Sequence, residues 1–484
     1  MNRLIFEKSV SGRRADNLPR LAPSEAGVKL RIPKKYYRDD EAALPELSEL
    51  DVVRHFTNLS RKNFSVDGNM YPLGSCTMKY NPKVCEKIAA LEGFSSLHPL
   101  LPQLRGGGML TQGALEVLHE TERLLSEIVG MDAFSLQPSA GAHGELTGMM
   151  LIAAYHRDKG NKKTKVIIPD SAHGTNPSSA AIAGFTVVSV PTGPDGDIDF
   201  AKYEAALDDE VAALMMTCPN TLGLFEKDIL RIAELAHKRD ALLYYDGANL
   251  NALLGRCRPG DLGFDVVHVN LHKTFATPHG GGGPGSGPVG VKARLVPFLP
   301  TSIVIKRNDG TYALEYEREK SIGYIAPFYG NFGIILRAYA YMLLLGREGL
   351  RRVSDNAVLN ANYMQARLKG RYELPYDRRC MHECVFSAAR QSLKGVHAID
   401  LAKALVERGI HPPTVYFPLV VKEALMIEPT ETESKEQMDE FIEVMLELAD
   451  LADKDPGQFA AMPRNTPVGR LDEVKAAKDM RFKA

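Results

Sequence analysis

Cysteine is scarce in this 484-residue sequence, and six thiols (Cys76, Cys85, Cys218, Cys257, Cys380 and Cys384) are too few for a disulfide framework at this length. Charge of one sign is missing too. With 59 Lys and Arg against 60 Asp and Glu, the formal net charge of -1 excludes a global attraction to nucleic acid or to a membrane surface. No apolar run is long enough to span a bilayer: the best candidate, GIILRAYAYMLLLG at 333–346, is short and carries Arg337, so it is read as a buried helix. The N-terminal LIF at 4–6 is broken at once by Glu7 and Lys8, so a secretory signal is not expected and the chain is placed in the cytoplasm. Internal repeats are lacking, as is low complexity outside one glycine cluster.

What is present is a large globular chain. It is 44% apolar and 25% charged, and its length suggests roughly three domains at about 150 residues each. Residues 1–100 read as an extended arm, because breakers interrupt every periodic piece. From 101 to 332 strand-like runs (KVIIPD, TVVSVP, VAALMMT, ALLYYD, DVVHVN) are interspersed with helical ones (GALEVLHETERLLSEIVG, EKDILRIAELAHKRD), which predicts an α/β large domain with a mainly parallel sheet covered on both faces. Residues 333–484 read as a smaller α/β domain: a long helix to 370, the strand ECVFSAA, the helix AIDLAKALVERG, the strand FPLVVKEALMI at 417–427 and the helix KEQMDEFIEVMLELADLADK.

The chemistry concentrates around Lys273 in NLHKTFATPHGGGGPGSGPVGV. A P-loop places its lysine after the glycines, and a dinucleotide fingerprint opens a helix; this run does neither. A lysine at the end of a buried strand, followed by mobile backbone, suits an amine that condenses with a cofactor aldehyde and later swings away. The plainer reading is a solvated loop lysine. Asp246, ending LLYYD, can hold a pyridine nitrogen protonated or close an Asx turn. Ser139, Ala140, Gly141 and Ala142 form a small-residue loop ahead of a helix, a place for a phosphate. His143 follows, as a ring that stacks on the cofactor face or as a helix cap. RCMHEC sets Cys380, His382 and Cys384 at alternate positions, one ligand short of a structural zinc site and with no second cluster in view.

Phosphate loop, then Asp246, then Lys273 27 residues on, resembles the aspartate-aminotransferase-like, fold-type I pyridoxal-phosphate enzymes. The motifs YPLGSCTMKYNP, QPSAGAHGE, DSAHGTNPSSAAIAGF, YYDGANLNALLG and the glycine run, in order over 71–291, are together similar to the P-protein family of the glycine cleavage system, with RNTPVGRLDE adding to the match near the C-terminus. The resemblance implies glycine dehydrogenase (aminomethyl-transferring) chemistry: pyridoxal 5'-phosphate in a Schiff base on Lys273, loss of CO2 from glycine, and transfer of the aminomethyl group to the lipoyl arm of an H-protein. It implies Thr217 and Asn220 near the ring hydroxyl, Asn270 near the phosphate, and Ala248 and His272 in contact with the cofactor. His173, His272 and His279 are shared motif histidines that either move protons or fix loops. A half-length chain carrying the lysine resembles subunit 2 of the two-subunit form, which implies a subunit 1 partner in a heterotetramer and no NAD site in this chain. The alternatives are another fold-type I enzyme, such as an aminotransferase or amino-acid lyase, and a non-catalytic scaffold subunit, against which the lysine argues.

Overall fold

The computed structural model describes residues 3–13, 33–36, 38, 40, 42–280 and 285–480. Two compact units divide the chain, Met1–Ser65 and Val66–Ala484. In the first, Ser48 caps the helix Glu49–Ser60 by accepting the Asp51 N–H. That unit leaves Leu4, Phe6, Val10, Leu50, Val53 and Phe56 exposed.

The second unit is built on seven strands: β1 (Ala133–Ser135), β2 (Lys165–Pro169), β3 (Thr186–Val190), β4 (Val211–Thr217), β5 (Leu242–Gly247), β6 (Val266–Val269) and β7 (Val289–Val291). Their order is β1-β7-β6-β5-β4-β2-β3, and β7 alone runs antiparallel to its neighbours. Near-continuous Val, Ala, Leu and Tyr in β4 to β6 reflects burial on both sides, as the sequence predicts. Tyr245 and Val267 enter one apolar cluster, while Tyr244 and Val266 enter another on the opposite face. The parallel register aligns Thr217 with Asp246 and Asp246 with His268, so the carboxyl ends of β4, β5 and β6 open side by side. That is where ligands sit in open α/β sheets.

A hairpin of β8 (Ile303–Lys306) and β9 (Tyr312–Glu315) follows. The helix Phe332–Leu368 is interrupted at Gly346, whose φ of 59° lies outside the helical region. Its first half buries Ile334, Ile335 and Ala338 against the sheet core, and its last turns carry Ala361, Met364 and Leu368 into a separate C-terminal core. A small antiparallel sheet, ordered β10 (Cys384–Ser387), β12 (Ala424–Ile427), β11 (Thr414–Val415), shares that core with the helices Ala398–Glu407 and Lys435–Lys454. The strand expected over 417–427 forms only in its last four residues. Glu423 adopts a φ of 51°, and Val421 packs with Leu222 and Leu224 instead of joining the ladder. No helix among the described residues is long and apolar enough to cross a membrane, and all six cysteines are free.

The segment 71–82 ties the two cores together through one buried cation. Lys79, 2% exposed, donates to the Thr274 carbonyl at 2.8 Å and to Glu431 at 2.7 Å. Lys79→Ala leaves the Glu431 carboxylate without its cation, with the longer bonds from Asn251 Nδ2 (3.3 Å) and the Tyr341 hydroxyl (3.4 Å) remaining, and a loss of roughly 3–5 kcal/mol of unfolding free energy is expected by urea titration. A loss below about 1 kcal/mol would mean that water screens the pair as it does at a surface.

Candidate active site

At the carboxyl ends of β4 to β6 lies a cleft of about 180 Å³. Gly141, Ala142, Thr217, Asp246, Ala248, Asn270 and Lys273 all line it, as the sequence reading expects of a common site. Lys273 follows β6 in a turn closed by its own N–H on the Asn270 carbonyl at 3.1 Å. Among the described residues its amine has no hydrogen bond or ion pair. Residues 281–284 of the glycine run, to which the sequence assigns room for the lysine's movement, lie outside the described residues.

Asp246 is held from several sides. Asn176 Nδ2 donates to its Oδ2 at 2.9 Å and to Glu145 Oε2 at 2.8 Å, and the Ala248 N–H donates to its Oδ1 at 3.1 Å. His268 Nε2 lies 3.4 Å from Oδ1, while its Nδ1 meets the Tyr244 hydroxyl at 2.7 Å. With that hydroxyl donating to Nδ1, the ring carries its proton on Nε2, toward the carboxylate. Burial by itself would push Asp246 up; His268, the two N–H donors and Lys273 outweigh it and hold the group below the usual carboxylate range. Burial, and then the charge on Asp246, pushes Glu145 the other way, to about 8. The pair therefore shares one negative charge, carried on Asp246 at neutral pH.

The mouth of the cleft is made of backbone. The helix Gly141–Asp158 begins at Ala140 without a side-chain cap, which leaves first-turn N–H groups free of intrahelical acceptors. A Cβ on Gly141 would stand 2.6 Å from the Asn270 amide, and one on Gly287 would stand 2.2 Å from the Ala140 carbonyl oxygen. Among the described residues, buried Thr217 Oγ1 and Asn270 Oδ1 have no partner. These features fit a phosphorylated aromatic ligand: N–H donors and a helix dipole for the phosphate, Asp246 for a ring cation and an amine for an aldehyde.

Other expected residues stand apart. The His143 ring sits against the Ser139 N–H at 3.3 Å, and neither His143, Ser139 nor Ala140 lines the cleft. Asn220 serves its own loop, donating to the Gly196 carbonyl at 2.7 Å and accepting the Leu222 and Leu224 N–H groups. His272 packs edge-on to His279 with ring centres 5.2 Å apart; burial, the neighbouring ring and Lys273 take His272 down to about 3, and burial with Lys273 takes His279 to about 4. His173 does line the cleft, and burial and Lys273 lower it despite Asp246. RCMHEC splits in two, because the strand starts only at Cys384: Cys380 and Cys384 enter the C-terminal core, while His382 faces the cleft, so the three do not form one ligand set.

The sequence reading missed Glu145, Asn176, His268, Ser75, Glu383 and Glu428. The first two lie in the motifs QPSAGAHGE and DSAHGTNPSS, but their pairing arises only where the folded chain brings Asn176 onto Glu145.

A family model for the glycine cleavage system P-protein matches residues 25–321, and one for the glycine dehydrogenase C-terminal domain matches 353–461. The chain belongs to the glycine cleavage system P-protein family. Within that family it is 55% identical over 479 residues to a Caldanaerobacter subterraneus subsp. tengcongensis protein named "Probable glycine dehydrogenase (decarboxylating) subunit 2", covering 99% of this chain and 98% of the relative. A Kosmotoga olearia protein of the same name is 57% identical over 476 residues, 98% of this chain and 97% of the relative. An inhibitor-bound glycine decarboxylase (P-protein) structure superposes with a TM-score of 0.71 at 22% identity, over 86% of this chain and 93% of that one. The cysteine desulfurase of Thermococcus onnurineus NA1 superposes with a TM-score of 0.61 at 15% identity, over 79% and 95%. These likenesses establish the P-protein chain's fold as that of the fold-type I pyridoxal-phosphate enzymes.

Proposed function

We propose that this chain is the lysine-bearing subunit of a two-subunit P-protein, removing CO2 from glycine and passing the aminomethyl group to the lipoyl arm of an H-protein. The observation that carries the reading is the convergence of Lys273, Asp246 and an uncapped helix N-terminus in one cleft of a chain 55% identical, over nearly its whole length, to proteins named for that activity.

Pyridoxal phosphate, when bound, supplies an aldehyde that Lys273 and then the glycine amine engage, and a protonated ring that takes up the electron pair released as CO2 leaves. The protein's part is to hold and to exclude. First-turn N–H groups at Gly141 and Ala142, with the Asn270 amide, bind the phosphate. Asp246 keeps a proton on the ring nitrogen, and Asn176, Ala248 and His268 hold Asp246 charged and oriented. Thr217 offers its unpaired hydroxyl to the ring oxygen. His173, inside the cleft and under the field of both Asp246 and Lys273, takes the ring-face role read from the sequence for His143. Residues 101–332 supply these groups, 333–484 close the cleft with His382 and Glu383, and the preceding 100 residues are an arm and interface segment from which Ser75 also reaches the cleft.

The apolar side chains left exposed in the first unit support a partner, and a lysine-lacking subunit 1 in a cytoplasmic heterotetramer is the one the family form implies. The test is glycine–bicarbonate exchange by this chain alone, with subunit 1, and with subunit 1 plus lipoylated H-protein. Exchange is expected to be poor until both partners are added. Full exchange by the isolated chain, indifferent to subunit 1, would overturn the two-subunit reading.

A further inference from the structure

Glu383, which lines the cleft that holds Lys273, is paired with a second buried carboxyl group, Glu428, and neither has yet been given a chemical role. In the small sheet β10 pairs with β12 with Cys384 opposite Ile427, so the next rung sets Glu383 opposite Glu428. Both are buried, at 4% and 0% exposure. Like charges facing each other across a ladder repel, and burial magnifies the repulsion unless one of them carries a proton.

The surroundings decide which. Glu428 accepts three hydrogen bonds, from the Thr77 N–H at 3.0 Å, the Thr77 hydroxyl at 2.7 Å and Asn249 Nδ2 at 2.7 Å, an environment that favours its ionised form. Among the described residues Glu383 accepts one hydrogen bond, from the Ser75 N–H at 2.9 Å, with His382 Nε2 farther off at 3.9 Å. Burial raises Glu428 too, against the pull of Thr77, Asn249 and Lys273; with only one such bond, Glu383 is raised well above the ordinary carboxylate range by burial and next by the charge of Glu428, so the shared proton sits on Glu383. The loop that serves the pair is strained: Ser75 and Thr77 hold φ of 64° and 53°, and a Cβ on Gly74 would stand 2.2 Å from the Met426 side chain of β12. Backbone held in this region by surrounding structure clusters at functional sites.

A substrate α-carboxylate entering this cleft meets no arginine among the described residues that line it. Lys273 is the one lysine or arginine among the lining residues, and its amine is proposed to exchange places with the substrate amine. His382, buried beside the pair with an unpartnered Nδ1, is kept neutral, burial first and then Lys273 taking it to about 3. We propose that the protonated carboxyl group of Glu383 donates a hydrogen bond to the α-carboxylate of glycine, and is the residue by which the site recognises an amino acid and not a simple amine. A neutral donor backed by the Glu428 anion binds a carboxylate without stabilising it as an arginine would, which suits a group about to depart as CO2.

This inference rests on the proposed function, and the test separates the two. Reconstituted with pyridoxal phosphate and subunit 1, the wild type, Glu383→Ala and Glu383→Gln chains are titrated with glycine and with methylamine, which is glycine without its carboxylate; binding is read from the cofactor absorbance and by equilibrium dialysis. Glu383→Ala is expected to weaken glycine by about tenfold or more, the size of a lost charge-assisted hydrogen bond, and to leave methylamine unchanged. Glu383→Gln, which keeps a donor, should retain most of the glycine affinity. It should also lose the fall in affinity that the wild type shows once rising pH removes the Glu383 proton. The groups facing Glu383, namely Glu428, His382, Cys76, Cys380, Cys384 and Lys273, are common to both chains and cancel in that comparison. Equal weakening of glycine and methylamine, no weakening of either, or a lower kcat with unchanged glycine affinity would overturn the assignment. Stoichiometric zinc in the purified wild type that is lost in Glu383→Ala would overturn it in favour of a cation on His382, Glu383 and Glu428. A wild type that neither takes up pyridoxal phosphate nor binds glycine would bring down the proposed function itself.

Discussion

Lys273→Ala is expected to lower glycine decarboxylation by roughly 10³-fold or more while leaving the fold intact, since the residue is the one proposed to engage the cofactor aldehyde. The structure makes the second half of that expectation specific. The Lys273 amine has no hydrogen bond or ion pair among the described residues, so removing it strands no buried partner, and the thermal midpoint should stay close to wild type. The charge is felt widely, however: it depresses His173, His268, His272, His279 and His382. In the variant these rings should titrate at higher pH, visible in their proton resonances. Borohydride should fix pyridoxal phosphate on the peptide containing residue 273 in the wild type and not in the variant. Near wild-type decarboxylation by Lys273→Ala would defeat the assignment of the anchor.

Asp246→Asn should retain cofactor and lose about 10²-fold in exchange of labelled CO2 into glycine, the scale on which one aimed electrostatic group matters in a water-poor site. The amide preserves shape but not charge, so the ring nitrogen keeps its proton less well. Glu145 supplies a second-order effect. Its elevation to about 8 comes from burial and then from the Asp246 charge, so removing that charge lets Glu145 ionise nearer neutrality, with Asn176 still bonded to it. Adding Glu145→Gln should therefore deepen the defect of Asp246→Asn. Unchanged exchange in the single variant would refute the role of Asp246, and a double variant no worse than the single would remove Glu145 from it.

Much of this was legible in the chain, for identifiable reasons. Strands β2, β4, β5 and β6 are buried on both faces and bounded by polar turns, so their apolar runs stand out, and the helix Lys435–Lys454 appears with the bounds its periodicity predicts. Lys273 and Asp246 end such strands, and strand ends are readable. Position within loops is not. His143 and His173 look equivalent as letters after small residues, yet the first turns toward Ser139 and the second into the cleft. The run 417–427 looks like one strand because apolarity does not reveal that Glu423 takes a left-handed φ. Glu383 and Glu428 were invisible because each follows ordinary strand logic; only the register of β10 on β12 makes them neighbours.

The contacts that complete the cleft join residues 308 and 351 positions apart, Ser75 to Glu383 and Thr77 to Glu428. A chain emerging from the ribosome presents Lys273, Asp246 and the phosphate loop as soon as β7 is made, but cannot close the carboxyl pair over them until residue 428 has been synthesised. Domains tend to fold as units in order of synthesis, and distant contacts form late. For an interval of its biogenesis the groups of the proposed cofactor site are therefore in place while the proposed substrate wall is not.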